Sequence, residues 1–199
     1  HYCEGAEEEE IYHEIIECIT GALDAKDTYT AGHSQRVSEM SLRVCELIGL
    51  KKKDILKIHI AAHLHDIGKI GIPDAILNKE GRLTDEEFEI MKTHSAIGAG
   101  ILSKSKTLSE FSDIVLHHHE RFDGKGYPDG LKGEKIPVGA RIIAICDSID
   151  AMTSNRRYRK ALGFDVCYQE IEKNLGKMYD PIIGQYVLDH FDEVTACLH

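Results

Sequence analysis

LHDIGKIGIPDAILNK, residues Leu64 to Lys79, is the stretch on which the reading of this chain turns. Upstream of it, from Asp54 to about Asp66, Ile58, Ala61, Ala62 and His65 recur at helical spacing and share one face. The spacing therefore predicts a helix that delivers His65 and Asp66 at its end, beside the core. Gly68 then breaks the pattern, and the chain stays irregular through Leu83. A carboxylate next to an imidazole can bridge two cations while the histidine binds one of them. By itself a His-Asp dipeptide is common, so its weight depends on what the rest of the chain brings to it.

Working outward, helical periodicity dominates on both sides and no alternating strand is found. The acidic run Glu7 to Glu10 reads as a solvated helix start, followed by Ile11, Ile15, Ile19 and Leu23 on one expected core stripe. Val37, Met40, Val44 and Leu47 form a second seam, with His33 one turn before it and Gly49 in the position favoured for a helix end. Thr84 and Glu87 make a capping box for a helix carrying Ile90, His94, Ile97 and Ile101 along one side. A further helix, Leu108 to His119, aligns Phe111, Val115 and His118. The span Arg141 to Met152 is nearly all apolar apart from Asp147 and Asp150, and so reads as a buried helix carrying carboxylates. Helices around Asp165 to Leu175 and Pro181 to Leu198 complete an all-α expectation. The Gly- and Pro-containing segment Glu120 to Gly139 is a long loop, and loops of that length inside a compact domain usually have a function.

At 199 residues the chain suits one domain. Its formal net charge of −10 argues against binding polymeric nucleic acid, which needs a basic surface. A small phosphorylated ligand stays open if local cations overcome that field, and twelve histidines point to metal ions as those cations. Six cysteines are scattered without a C-x-x-C pair, which fits a reducing cytoplasm better than a disulfide framework. No apolar run is long enough for a transmembrane helix. His33, His65, His94 and His118 are placed on apolar faces by four expected helices, and Asp147 by a fifth. Uncompensated burial of so many polar groups would cost a few kcal/mol each, and a shared metal centre would satisfy them together.

The residues also carry a resemblance. His33-Ser34 with Arg36-Val37, the stretch Leu64 to Lys79, His94, and HHERFDGKGYPDGL from His118 to Leu131 look like the HD-GYP family. The match runs on through Arg141, Asp147, Asp150 and Ala151-Met152-Thr153 to Arg156, Tyr158 and Tyr179-Asp180-Pro181. HD-GYP proteins are the HD-domain phosphohydrolases that degrade cyclic di-GMP. The resemblance implies an HD-domain-like helical bundle with a long GYP loop, in which residues 1–23 form an N-terminal helix, perhaps continuing from an upstream sensor or receiver domain, and 24–199 the catalytic domain. It implies metal ligands at His33, His65, Asp66, His94, His118, His119 and Asp147, with Asp66 bridging two divalent ions. His33, His65 and Asp147 fall on one side and His94, His118 and His119 on the other. Nitrogen and oxygen ligands without thiolate favour iron or manganese. Two such ions lower the pKa of a bridging water and clamp phosphate oxygens. Lys69 would stabilise the charge built up in in-line attack, while Gly126, Tyr127, Pro128, Asp150, Arg156 and Tyr158 are implied substrate contacts.

His117 leaves a one-residue ambiguity in the run of three, although His-Glu-Arg aligns best with His118 and His119. Some members of the family hold a third metal with a Glu four residues before the first ligand histidine, where this chain has Tyr29, so two ions are expected. His13, His59, His63, His190 and His199 match no family role. The expected reaction opens cyclic di-GMP to linear pGpG and onward to GMP. The rivals are a nucleotide sensor or protein-docking module without turnover, and a hydrolase of a related cyclic dinucleotide.

Overall fold

The computed structural model describes residues 2–27, 29–156 and 159–199, with side chains from Glu10 onward. Among them it is all-α: α1 (Tyr2–Lys26), α2 (His33–Leu47), α3 (Lys52–Leu64), α4 (Asp74–Leu77), α5 (Asp85–Lys92), α6 (His94–Leu102), α7 (Ser112–His117), α8 (Val138–Thr153), α9 (Phe164–Lys173), α10 (Pro181–Asp189) and α11 (Phe191–Val194). The described residues contain no strand, only two isolated bridges, Arg156 with Arg159 and Leu175 with Tyr179. None of the described helices is long and apolar enough to cross a membrane.

α8 is the axle. Ile142, Ile143, Ile145, Cys146 and Ile149 are all fully buried, which takes in more than one helical face and requires neighbours on several sides. α2 packs against it with Val37, Met40 and Val44, and α3 packs on α2 through Ile58, Ala61 and Ala62. Burying a side chain of valine or isoleucine size contributes about 1.5–3 kcal/mol, so this three-helix contact fixes the frame. α2 ends where Gly49 takes φ of 75°, as a left-handed helix terminator should.

Three of the expected helices are divided, the Pro181 to Leu198 one into α10, α11 and a 3-10 turn, Ala196–Leu198. Thr84 caps α5 with both bonds of the capping box, Glu87 N to Thr84 Oγ1 at 3.2 Å and Thr84 N to Glu87 Oε2 at 2.8 Å, but the helix stops at Lys92 and α6 restarts at His94. The Leu108 to His119 helix is a 3-10 turn, Leu108–Phe111, followed by the short α7. The segment after Asp66, expected to be irregular, contains the 3-10 turn Ile67–Gly71 and α4.

α1 differs in the face it presents. Ile11, Ile15 and Ile19 are exposed, whereas Ile16 and Leu23 are buried, with Tyr12 packed at the edge of the core. Apolar residues cover a wide arc of this helix, and spacing alone does not say which part of the arc is used. The helix also runs past residue 23 to Lys26, whose Nζ donates to Ile70 O at 2.7 Å and Ile72 O at 3.1 Å. α1 is thereby tied to the turn that follows Asp66.

Candidate metal centre

The same local device positions three of the histidines. At the end of a helix the last carbonyls lack a helical partner, and the ring Nδ1–H of a histidine three residues on can donate to one. His65 Nδ1 donates to Ala62 O at 2.6 Å, His94 Nδ1 to Met91 O at 2.7 Å, and His118 Nδ1 to Val115 O at 2.6 Å. Each bond fixes the tautomer of the neutral ring, in which Nε2 carries the lone pair. His65 follows the last residue of α3, His118 follows the last of α7, and His94 stands first in α6 where α5 has just ended. The two carboxylates have other origins. Asp66 opens the 3-10 turn after α3, and Asp147 projects from the middle of α8.

These groups meet around Asp66, which is 4% exposed. Its Oδ2 lies 3.3 Å from His65 Nε2, 3.5 Å from His33 Nε2 and 3.0 Å from Lys69 Nζ. Its Oδ1 lies 3.5 Å from His94 Nε2 and 3.9 Å from His118 Nε2. Asp147 Oδ1 closes the first group, 2.8 Å from His33 Nε2 and 3.7 Å from His65 Nε2. His119 Nε2 closes the second, 3.2 Å from His94 Nε2. Two compact sets of ligand atoms thus share one carboxylate, His33, His65 and Asp66 on one side and Asp66, His94, His118 and His119 on the other.

Protonation differs between the halves. Burial pulls His33 and His65 down, yet the facing carboxylates prevail, raising His33 and taking His65 up to about 10. Across the site burial dominates, holding His94 and His118 low and His119 at about 4. Asp66 and Asp147, despite burial, are kept well below the usual carboxylate range by the facing imidazoles, with Lys69 adding to the effect on Asp66. Burial likewise works against the Lys69 ammonium, but Asp66 and then Asp27 hold its pKa up.

The residues fit a metal centre on a structural test. Nε2 of His65 and Nε2 of His118 are buried with no hydrogen-bond partner. An unpartnered buried polar atom costs about 1–3 kcal/mol, and here both atoms face Asp66. Divalent metal ions supply what these nitrogens lack.

A cavity of about 440 Å³ opens onto the site, its wall including Lys69, Tyr29, Asp27, Tyr127, Arg156 and Arg159. Tyr127 stacks on His119, with ring centroids 5.0 Å apart. Burial pushes its phenol up, so it enters the cavity as a neutral hydroxyl.

Several implied contacts sit elsewhere. Asp150 is 1% exposed and does not line the cavity: its Oδ2 accepts from His33 Nδ1 at 2.6 Å, while Arg36 holds it through Nε at 2.6 Å and Nη2 at 3.1 Å. It stands behind the His33 ring, its oxygens taken up by His33 and Arg36. Gly126 and Pro128 are also absent from the wall. A Cβ on Gly126 would stand 2.4 Å from Arg121 N and 2.5 Å from His119 O, so the glycine serves the packing of the loop against the histidine run. Tyr158, like Arg157, lies outside the described residues. His117 turns away from the centre, its Nε2 2.7 Å from Asp129 Oδ2, which removes the one-residue ambiguity. Glu120 anchors the same loop, accepting from Asp129 N at 2.7 Å and Leu131 N at 3.0 Å.

Asp27 and Arg159 were not among the residues expected at the site, yet both line the cavity. The signal for Arg159 was its place beside Arg156 in a basic cluster. It lines the cavity, with Nη2 donating to Ala151 O at 2.6 Å.

A family model for the HD domain matches residues 17–183. The chain is 44% identical over 191 residues to a cyclic di-GMP phosphodiesterase of Thermotoga maritima, covering 95% of this chain and 52% of that protein. It is 36% identical over 185 residues to 3'3'-cGAMP-specific phosphodiesterase 2 of Vibrio cholerae, covering 92% and 35%. Among solved structures, a cyclic GMP-AMP specific phosphodiesterase from V. cholerae superposes with a TM-score of 0.72 at 18% identity, over 93% of this chain and 49% of that one. The chain therefore spans about half or less of the length of these relatives.

Proposed function

We propose that this chain, which belongs to the HD domain family of metal-dependent phosphohydrolases, is a phosphodiesterase that opens cyclic di-GMP to linear pGpG and carries pGpG on to GMP. The observation that carries the reading is the division of Asp66, whose Oδ2 faces His33 and His65 and whose Oδ1 faces His94 and His118. A bridging carboxylate between two imidazole sets is what a binuclear hydrolase needs. His33, His65, Asp66 and Asp147 would hold one divalent ion and Asp66, His94, His118 and His119 the other, iron or manganese by donor type. When bound, such ions supply Lewis acidity toward phosphate oxygens and lower the pKa of a coordinated water.

The chain's own residues do the rest. Lys69, fixed 3.0 Å from Asp66 and kept protonated, acts as a donor to phosphate oxygens and not as a base. Arg156 and Arg159, on the same wall, offer forked donors to the second phosphate or to a guanine edge. The neutral Tyr127 hydroxyl donates, and its ring, stacked on His119, closes one flank against water. This assignment supports turnover over mere sensing, because a receptor has no use for a shared carboxylate between two sets of metal ligands. The share of the relatives that the chain covers leaves room for an upstream sensor or receiver domain acting through α1. The same reading places the protein in the cytoplasm, where cyclic di-GMP is made and used.

The test is anaerobic purification, metal analysis and product chromatography on cyclic di-GMP, 3'3'-cGAMP and cyclic di-AMP. Two ions per chain are expected, with pGpG and then GMP from cyclic di-GMP. An Asp66→Asn protein should retain helix content and lose both metal and turnover. Tight nucleotide binding without product by the fully loaded protein would replace the enzyme with a sensor, and faster turnover of another dinucleotide would reassign the substrate.

A further inference from the structure

Away from the cavity, α1 and α3 bring three other histidines together. The His13 and His59 rings stack 5.6 Å apart at 4°, and His63 meets both edge-on, at 5.0 and 4.8 Å. One nitrogen from each ring lies within 4.8 Å of the other two. These residues serve nothing in the reaction. His63 and His65 are only two apart on the chain, and neighbours at that spacing leave a helix on different sides.

The hydrogen bonds leave an unprotonated nitrogen on two of the rings. The Ser38 hydroxyl donates to Gln35 O at 2.9 Å, so at 3.0 Å it accepts from His63 Nε2–H. The other nitrogen, His63 Nδ1, is then unprotonated, and it is buried with no hydrogen-bond partner. His59 Nδ1–H donates to Ser38 O at 3.2 Å, which leaves its Nε2 unprotonated too. One serine thus sets two tautomers, one through its side chain and one through its backbone, as outer partners of metal-bound histidines do. Burial keeps His59 below its ordinary value, so its ring is neutral. Glu17 Oε1 stands 3.5 Å from His13 Nδ1 and supplies the third ring with a carboxylate neighbour.

We propose that His13, His59 and His63 form a second, peripheral site for a single borderline divalent transition-metal ion such as zinc, which staples α1 to α3. Three imidazoles and an open fourth position match a zinc donor set. His65 and Asp66 follow directly on α3, and Lys26 of α1 holds the turn after them. The staple accordingly braces both elements that carry one edge of the catalytic centre, while taking no part in the chemistry.

The experiment uses the whole chain with its central ligands intact. Wild-type, His13→Gln and His59→Gln proteins are dialysed to equilibrium against buffered zinc, and metal per chain and thermal midpoint are measured. His13 sits on a partly exposed helix face, so its variant tests the site without disturbing the core. The wild type should retain about one zinc per chain more than either variant, and zinc should raise its midpoint further than theirs. The central equivalents should be the same in all three, which separates this outcome from any failure of the central assignment. Equal zinc content and equal zinc-induced shifts in wild type and His13→Gln would overturn the proposal and leave the three rings as an aromatic cluster.

Discussion

Replacing Asp150 by Asn tells an outer partner of the His33 ring from a substrate contact. The Asp150 carboxylate accepts three bonds, one from His33 Nδ1 at 2.6 Å and two from Arg36 at 2.6 and 3.1 Å. Burial alone would raise its pKa, but His33 and Arg36 outweigh burial and hold it below the ordinary carboxylate value, so it is an anion when it orients the ring. Asn preserves the volume and one acceptor oxygen while removing the charge that polarises the His33 Nδ1–H bond. Loss of such an outer partner costs roughly 10- to 100-fold in metal affinity, or about 1.4–2.7 kcal/mol. The assay is activity against buffered free metal, followed by substrate saturation at full metal loading. The metal requirement should rise by that factor, and KM for cyclic di-GMP at saturating metal should hold. An unchanged metal requirement with a raised KM would refute the reasoning and return Asp150 to the substrate.

Arg156→Ala should act in the opposite sense, raising KM by ~10-fold or more through loss of charged hydrogen bonds with metal content unaltered; metal analysis beside steady-state kinetics decides it. Loading of the metal-free protein should depend on pH in one half of the centre only. Because the pKa of His65 is raised to about 10, its ring holds a proton at neutral pH that a cation must expel, and His33 is shifted in the same direction, so affinity there climbs as pH rises. His94, His118 and His119 have lowered values and are already neutral, which makes the second half nearly indifferent to pH above 7. Titration calorimetry from pH 6 to 9 should resolve one steep and one flat phase, and two flat phases would contradict it. Gly126→Ala places a Cβ 2.4 Å from backbone Arg121 N and should lower stability by about 1–3 kcal/mol, read as a fall in thermal midpoint.

What was legible in the sequence was local. The 3.6-residue period of α2 and α3 put His33 and His65 on inward faces, since burial of one face is what creates the period, and the nearly unbroken apolar run of α8 marked the helix that carries Asp147 as buried. The capping box at Thr84 was visible for the same reason, being a contact between residues three apart. Pairings across the chain left no such trace. His33 and Asp150 are separated by 117 positions, and only the packing of α2 on α8 brings that carboxylate behind the His33 ring. The wall roles of Asp27 and Arg159 are equally nonlocal, since neither residue belongs to a periodic face that would announce the cavity.

The misread face of α1 has a geometric cause. At 100° per residue, Ile11, Ile15, Ile19 and Leu23 centre on a direction roughly 60° away from that of Tyr12, Ile16 and Leu23, and it is the second set that meets the core. With the first set inward, His13 would point well away from α3 and the bland reading of His13, His59 and His63 would follow. Rotated to its actual face, the same helix brings His13 against His59 and His63 while leaving Ile11, Ile15 and Ile19 outside. A stripe of isoleucines is the stronger hydrophobic signal, so its exposure needs a compensating contact on the docked side. The burial of Ile16 and Leu23 provides part of that contact, Lys26 on the turn after Asp66 provides more, and a cation held between α1 and α3 would complete it.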